Sequence, residues 1–286
     1  MDREKIAKDY DKIWLEIDRP QPLSDQKIEK LIHDVLHGNV DKDISDAIYI
    51  NFKKEMTNWL LSSKLNTIRG LENFNRVDII NGCTQFIDTL YMQNSIQIIE
   101  GDYKYHQRLN HDICFSNPGS LIPNVPLIIA APFPSIGNIH PHTIDIFNEA
   151  FEKNISVHID GAWLTCSRNI NFNVDHPAIK SVAISLSKGL GLGWNRIGLR
   201  WTKNLVSDAI TLQNDFKMNL RAPVIIGLHF LRNLNPDHLW NTHDKNYEKI
   251  CNDFGLTPTN SIHIALQNLK PVGLAPLIRY LDEHNQ

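Results

Sequence analysis

Apolar residues recur at helical spacing in the first 65 positions of this chain and then gather into short blocks. Residues 28–36 carry them three and four positions apart, and Gly38 marks the expected end of that helix. A second helix is expected over residues 48–65. From about residue 76, β-branched runs alternate with amphipathic stretches, a pattern typical of strands joined by helices. The predicted strands are residues 77–80, 95–99, 127–131, 156–159, 181–185 and 197–201, and the predicted helices between them are residues 84–92 and 141–153.

Strands separated by connections of helix length must cross over and pair in parallel, with helices covering both faces of the sheet. The sequence therefore predicts an α/β fold with a mostly parallel sheet. After about residue 203 the pattern turns helical, and prolines divide it into short pieces. We expect residues 51–220 to form the larger unit, and residues 1–50 with 221–286 to form an N-terminal arm and a small, reduced α/β domain.

Composition and charge narrow the class of protein. The 286 residues include 29 Lys and Arg and 32 Asp and Glu, a formal net charge of −3, whereas a nucleic-acid-binding surface usually needs a basic excess. Apolar runs stay well below the ~20 residues of a membrane span. The four cysteines are widely spaced, and no His or Cys cluster has the spacing of a metal site. We therefore expect a cytoplasmic protein with no metal, nucleic acid or membrane partner.

In a sheet of this kind ligands bind beyond the carboxyl ends of the strands, and two of the turns there carry polar residues. Gly82, Cys83 and Thr84 follow the first strand and open a helix, whose N-terminal N–H groups and dipole attract an anion such as phosphate. Such residues are also common in these turns for structural reasons. Asp160 ends the fourth strand, where it either faces the ligand crevice or caps the next helix.

A third turn, after the fifth strand, has a more specific sequence. Ser185 and Ser187 lead to Lys188, a glycine-rich loop follows over residues 189–193, and Arg196 precedes the last strand. A lysine partly removed from water has a lowered pKa and suits Schiff-base chemistry, and an arginine can bind phosphate with two hydrogen bonds. A nucleotide-binding P-loop is excluded because its lysine follows the glycines, and the glycine spacing differs from that of a dinucleotide-binding turn.

The order of these turns resembles the fold-type I enzymes that depend on pyridoxal 5′-phosphate (PLP), in particular the class I/II aminotransferases. That family has a strand-ending Asp-x-Ala-aromatic, then Ser-x-Ser-Lys, then an arginine. Here Asp160 begins Asp-Gly-Ala-Trp, Lys188 ends Ser-Leu-Ser-Lys, and Arg196 stands eight positions after the lysine, as in the family. The resemblance spans roughly residues 81–201 and implies a homodimer whose active sites are shared between the subunits.

The resemblance implies a role for each matching residue. Lys188 would form a Schiff base with PLP and move protons at the substrate, and Asp160 would pair with the nitrogen of the cofactor ring. Trp163 stands where the family often has a tyrosine, and Tyr103 is favoured over its neighbours to stack on the ring. The residues implied at the phosphate are Gly82, Cys83, Thr84, Ser185, Ser187 and Arg196.

Departures from the family leave the reaction open. Residues 132–137 lack the asparagine that usually contacts the ring oxygen. Residues 261–265 lack the arginine with which aspartate-type transaminases bind the substrate carboxylate. The spare candidates for this role are Arg221, Arg232 and Arg279, although each is expected to lie at the surface. His238 and His243 are also expected at the surface.

The sequence therefore predicts a PLP-dependent aminotransferase that acts on an amino acid through Lys188. One alternative is a PLP-dependent lyase, cyclase or oxidase of the same fold, because the surroundings of the cofactor choose among these reactions. Another is a non-catalytic, aminotransferase-like module. The intact Lys188 argues against that last alternative, since a scaffold has no need for a lysine at the crevice.

Overall fold

Helices and strands alternate through most of the chain in the computed structural model, which describes residues 22–38, 45–109 and 114–284. The helices are α1 (Gln26–Leu36), α2 (Ala47–Leu61), α3 (Cys83–Gln93), α4 (Tyr105–Leu109), α5 (Thr143–Glu152), α6 (Ala209–Asp215), α7 (Arg221–Asn233), α8 (His238–Phe254) and α9 (Ala275–His284). The strands are β1 (Thr67–Arg69), β2 (Arg76–Ile80), β3 (Gln97–Ile99), β4 (Cys114–Ser116), β5 (Leu127–Ala130), β6 (Val157–Asp160), β7 (Asn171–Asn173), β8 (Ile179–Ser185), β9 (Gly198–Thr202), β10 (Thr257–Pro258), β11 (Ile264–Gln267) and β12 (Lys270–Gly273). Single turns of 3₁₀ helix lie at Leu71–Asn73 and Leu164–Cys166.

Seven strands form the central sheet, in the order β2-β9-β8-β6-β5-β3-β4. The pairings from β8 to β4 are parallel, and β9 runs antiparallel to both of its neighbours. The chain between β8 and β9 contains no helix, so β9 returns beside β8 in the opposite direction. Every residue of β5 and β9 is buried, as a sheet covered on both faces requires. The predicted α/β fold with a mostly parallel sheet is confirmed.

The sequence pattern locates the elements of this region closely. The six predicted strands and the two predicted helices between them begin and end within two residues of the observed bounds. The predicted helix over residues 48–65 ends earlier, at Leu61, because Asp237 holds the chain beyond it: Ser63 Oγ donates to Asp237 at 2.5 Å and Lys64 N at 2.7 Å. The division of the chain into two units stays a prediction.

Two histidines expected at the surface are buried, so that expectation is wrong. His238 Nε2 and His243 Nε2 lie 2.7 and 3.2 Å from Asp25 Oδ2, while Asp25 Oδ1 caps α1 by accepting from Ile28 N. Burial alone would raise the pKa of Asp25, but the hydrogen bonds with both histidines hold it well below its usual value. The segment around the histidines is polar in sequence, and α8 is amphipathic, with both on its buried face.

The C-terminal segment contains strands whose positions the sequence pattern did not predict. Between α8 and α9, a three-stranded antiparallel sheet forms in the order β10-β11-β12. Its strands have two to four residues, and Pro258 and Pro271 lie inside two of them, so neither length nor composition indicates a sheet. None of the described helices combines the length and the apolar character that crossing a bilayer needs.

A fully buried histidine predicts how stability varies with pH. His106 in α4 has its Nδ1 3.1 Å from the Tyr91 hydroxyl. Burial lowers its pKa from 6.5 to about 4, so over that range the unfolded chain binds a proton that the folded chain does not. As the pH falls from 6.5 to 4, we expect His106 to reduce the free energy of unfolding by up to about 1.4 kcal/mol per pH unit.

Urea denaturation of the wild type and of His106→Gln between about pH 7 and pH 4 measures this effect. Burial raises the pKa of Asp102 to about 7. Asp102 therefore increases the free energy of unfolding as the pH falls over this range, whereas His106 decreases it. The difference between the two proteins therefore isolates His106 better than the wild-type curve does. A difference that stays constant with pH would contradict the prediction.

Candidate active site

Three turns meet at the carboxyl edge of the sheet. β6 and β8 are parallel neighbours, so the turns after Asp160 and Ser185 leave the sheet side by side. β2 runs in the same direction as β8, because both are antiparallel to β9. The turn after β2 is reached by Arg196 from the loop before β9. Arg196 Nε donates to Asn81 O at 3.2 Å, and its Nη2 donates to Thr84 Oγ1.

The guanidinium of Arg196 lies against the N-terminus of α3. The N-cap residue of α3 is Gly82, so no capping side chain accepts from the first N–H groups of the helix. Gly82 has a φ of 79°, and a Cβ there would lie 2.9 Å from Arg196 Nη2, so glycine is required for this approach. A helix N-terminus beside a guanidinium favours the binding of an anion.

Asp160 places a buried carboxylate next to this anion site. It is 3% exposed, and its Oδ1 accepts from Ala162 N at 3.0 Å. Burial raises its pKa above the usual value, although hydrogen bonds from Ala162 N and the Cys83 thiol and the charge of Arg196 oppose the rise. Both hydrogen-bond partners are uncharged, and a buried carboxylate in that position is stabilised by a cation bound beside it.

Lys188 lies, partly buried, in the turn that follows β8. This turn packs tightly on the 3₁₀ turn after β6: a Cβ on Gly189 would collide with Thr165, whose Oγ1 donates to Ser185 O at 3.1 Å. Ser187 Oγ is buried and has no hydrogen-bond partner among the described residues. Because buried hydroxyl groups are nearly always hydrogen-bonded, Ser187 is available to a ligand.

Beside Lys188 lie two buried residues that the sequence analysis did not single out. Cys166 Sγ is 3.3 Å from His263 Nδ1, and the ring of Trp163 stands edge to face with His263, with 4.3 Å between centroids. Burial lowers the pKa of His263 well below 6.5, and the charge of Lys188 lowers it further. Cys166 and His263 are 97 residues apart in sequence, and no motif links them, so only the structure brings them together.

The aromatic residues after β3 lie close to the same anion site. Tyr103 is 37% exposed and stacks on Tyr105, with 5.7 Å between ring centroids. The Tyr105 hydroxyl donates to Asp88 at 2.8 Å, and burial raises its pKa to about 12 although the charge of Arg196 opposes the rise. His106 is fully buried, which removes it as a stacking partner for a ligand. The choice of Tyr103 over Tyr105 stays a prediction.

No protein-family model and no curated protein matches this sequence, so comparison rests on three-dimensional shape. Histidinol-phosphate aminotransferase from Clostridium acetobutylicum is similar with a TM-score of 0.56 and 16% identity, over 86% of this chain and 80% of that one. A PLP-bound C-S lyase from Staphylococcus hominis is similar with a TM-score of 0.61 and 13% identity, over 97% of this chain and 80% of that one. N-Succinyldiaminopimelate aminotransferase from Mycobacterium tuberculosis is similar with a TM-score of 0.60 and 12% identity, over 92% of this chain and 80% of that one. The chain therefore has the fold of the fold-type I, PLP-dependent enzymes.

Proposed function

We propose that this protein is a PLP-dependent enzyme of the aminotransferase kind, acting on the amino group of a small molecule. One observation carries the proposal. At a single edge of the sheet, Arg196 lies on the N-terminus of α3, Asp160 is a buried carboxylate, and Lys188 supplies an amine. A phosphorylated pyridine aldehyde needs those three groups: a phosphate site, a partner for its ring nitrogen and an amine for its aldehyde carbon.

The residues present fit PLP. Arg196, Thr84 and the first N–H groups of α3 would bind the phosphate, and Ser185 and Ser187 are further candidates. The Ser187 hydroxyl has no partner among the residues that the structure describes, so a phosphate oxygen would satisfy it. In the same way, a protonated ring nitrogen would give Asp160 the cation that its two uncharged partners do not provide.

Bound PLP would supply an electron sink for bonds to the carbon that carries the amino group. Asp160 would hold a proton at the ring nitrogen, and that cation would in turn favour the ionised carboxylate. Lys188 Nζ would bind the aldehyde carbon and later hold and deliver the proton at the substrate carbon. Trp163 and Tyr103 would exclude water from around the ring.

An absorption spectrum of the protein mixed with PLP tests the proposal. We expect a new band that changes when an amine substrate is added. A carbonyl product that forms only with an amino-group acceptor would support transfer. Ammonia released without an acceptor would favour the lyase alternative, which similarity in fold to a C-S lyase supports. A spectrum without a new band, or with a band that no amine changes, would favour the non-catalytic alternative.

Gly82→Ala is expected to weaken PLP binding by about tenfold or more. The new Cβ would push the Arg196 guanidinium from the N-terminus of α3, and a charge-assisted hydrogen bond contributes about 1.5–3 kcal/mol. Gly119→Ala is the matched control: Gly119 also has a positive φ, of 89°, but no atom lies within 4 Å of the added Cβ. Absorption titrations give the dissociation constant of PLP for each variant. Equal affinities would contradict the prediction.

We also propose a homodimer with shared active sites, as the resemblance implies. Apolar surface near the site supports it. Trp194, in the loop from Lys188 to Arg196, is 98% exposed, and Phe216 and Met218 are 72% and 69% exposed. Burying such side chains against a second copy would remove a large apolar area from water. Sedimentation equilibrium measures the mass in solution, and a monomer at all concentrations would contradict the proposal.

A further inference from the structure

His263 is a buried hydrogen-bonding group beside Lys188. Its side chain is 1% exposed, and its Nε2 has no hydrogen-bond partner among the described residues. Its ring stands against Trp163, which follows Asp160 by three positions. His263 therefore lies where the turn after β6 meets the turn that carries Lys188. Thr165 packs against Gly189, the neighbour of Lys188, and Cys166 next to Thr165 contacts His263. A ligand held by Lys188 would therefore lie close to this imidazole.

The two side chains that lie against the His263 ring, those of Cys166 and Trp163, are uncharged. Burial raises the pKa of the Cys166 thiol to about 12, so the thiol keeps its proton at neutral pH. Close by in sequence, Ser261 Oγ is 2.8 Å from Ser167 Oγ and 3.2 Å from Gly137 O. These polar atoms satisfy one another, whereas His263 Nε2 is left for a ligand.

The single proton of the Cys166 thiol limits what His263 can offer. Sγ lies 3.1 Å from Trp163 O and 3.3 Å from His263 Nδ1, and the proton can go to only one of them. If it goes to His263, Nε2 carries the ring proton and donates. If it goes to Trp163, His263 Nδ1 donates to the sulfur and Nε2 accepts. In either arrangement His263 offers a ligand one uncharged hydrogen bond.

Three arginines that could have served a carboxylate are engaged elsewhere. The Arg168 guanidinium lies over the ring of Trp240 at 3.9 Å and 3.7 Å from Glu248. Arg221 and Arg232 are exposed, and each pairs with a surface carboxylate, at 2.9 and 2.7 Å, as their sequence context predicts.

Once Lys188 Nζ is bound to the cofactor, a carboxylate taken out of water beside His263 would meet one neutral nitrogen among the described residues, and a buried anion with so little compensation is unfavourable. An alcohol or amide needs only the single hydrogen bond that His263 provides. We propose that His263 determines specificity and that the substrate is an amine with an uncharged hydrogen-bonding group, as in an amino alcohol or an amino amide. This inference rests on the proposed PLP function, and it differs from the amino-acid substrate that the family resemblance implies.

Titrations of the PLP-loaded protein with matched ligands test the inference, with the change in absorption as the readout and no turnover required. Alanine, leucine and phenylalanine are each compared with the corresponding amino alcohol and amino amide, so that only the group next to the amine-bearing carbon changes. We expect the alcohol or the amide to bind at least about tenfold more tightly than the acid, because burying an uncompensated charge weakens binding by at least that factor. Acids that bind as tightly, or no binding by any ligand, would overturn the inference.

Two variants test the role of His263 itself. His263→Arg introduces a cation and should reverse the preference towards the acids, whereas His263→Gln keeps an uncharged donor and acceptor and should preserve it. If His263→Arg does not fold, His263→Leu takes its place, because it removes the hydrogen bond and should weaken the binding of the alcohols and amides by about tenfold. The same preference in all three proteins would show that His263 does not determine specificity. Failure of the proposed PLP function would give a different result, because no cofactor band would form before any ligand is added. That result would also overturn the inference about His263.

Discussion

Replacing Lys188 by alanine is expected to reduce turnover of any amine substrate by a factor of about 10³ or more. Lys188 lies close enough to Cys166 and His263 for its charge to lower the pKa of both groups. Alanine would remove both the amine that binds the cofactor aldehyde and the group that carries the proton. Rates of product formation measure the loss.

Borohydride reduction gives a second readout that does not depend on turnover. After reduction of the PLP-loaded wild type, mass spectrometry should find the added mass on the peptide that contains Lys188, and in Lys188→Ala it should find none there. Lys180→Ala is the control, because Lys180 lies near the other end of β8 and its Nζ donates to Pro177 O. We expect Lys180→Ala to keep both activity and labelling. A Lys188→Ala protein with wild-type turnover would refute the role.

The cofactor side of the site is predictable from sequence because each of its residues lies within a few positions of a strand end. A buried strand must end in a turn at the sheet edge, and parallel strands bring such turns together. Asp160, Lys188 and Arg196 each stand at such a point, and the structure places Arg196 on the turn of Gly82 and Thr84. Local pattern and topology were sufficient there. The roles of these residues in binding PLP remain predictions.

The other side of the site depends on contacts between distant segments, which local patterns do not encode. His263 belongs to the loop before β11 and meets Cys166 across 97 residues. Asp25 joins His238 and His243 across more than 200 residues. In each case the polar side chain lies on the buried face of its segment, and its partner comes from a different part of the chain. A sequence read for motifs finds neither pair.

Arg200→Met is expected to lower the free energy of unfolding by about 3–5 kcal/mol. Arg200 is buried in β9, where its Nη2 donates to Asp78 in β2 at 2.8 Å and to Thr211 at 3.0 Å, and its Nη1 donates to Asp208. Methionine has a similar volume but would leave Asp208 without its cation, and Asp78 would keep only its ion pair with Arg76 at 2.8 Å. Denaturant unfolding measures the loss, which should appear in a thermal scan as a fall of about 10 °C in Tm.

Two comparisons separate the lost charge from lost packing. Arg232→Ala removes an exposed ion pair with Glu55 and should cost less than about 1 kcal/mol. Adding Asp78→Asn and Asp208→Asn to Arg200→Met removes both charges that Arg200 compensated, while Arg76 keeps its ion pair with Asp215. Asn also keeps the capping of α6 that Asp208 provides. If the uncompensated carboxylates cause the instability, the triple variant should regain part of the lost free energy of unfolding. A triple variant as unstable as the single one would assign the loss to packing. This ion network joins β2, which ends just before the Gly82 turn, to β9, which begins just after Arg196. Its loss should therefore also weaken PLP binding.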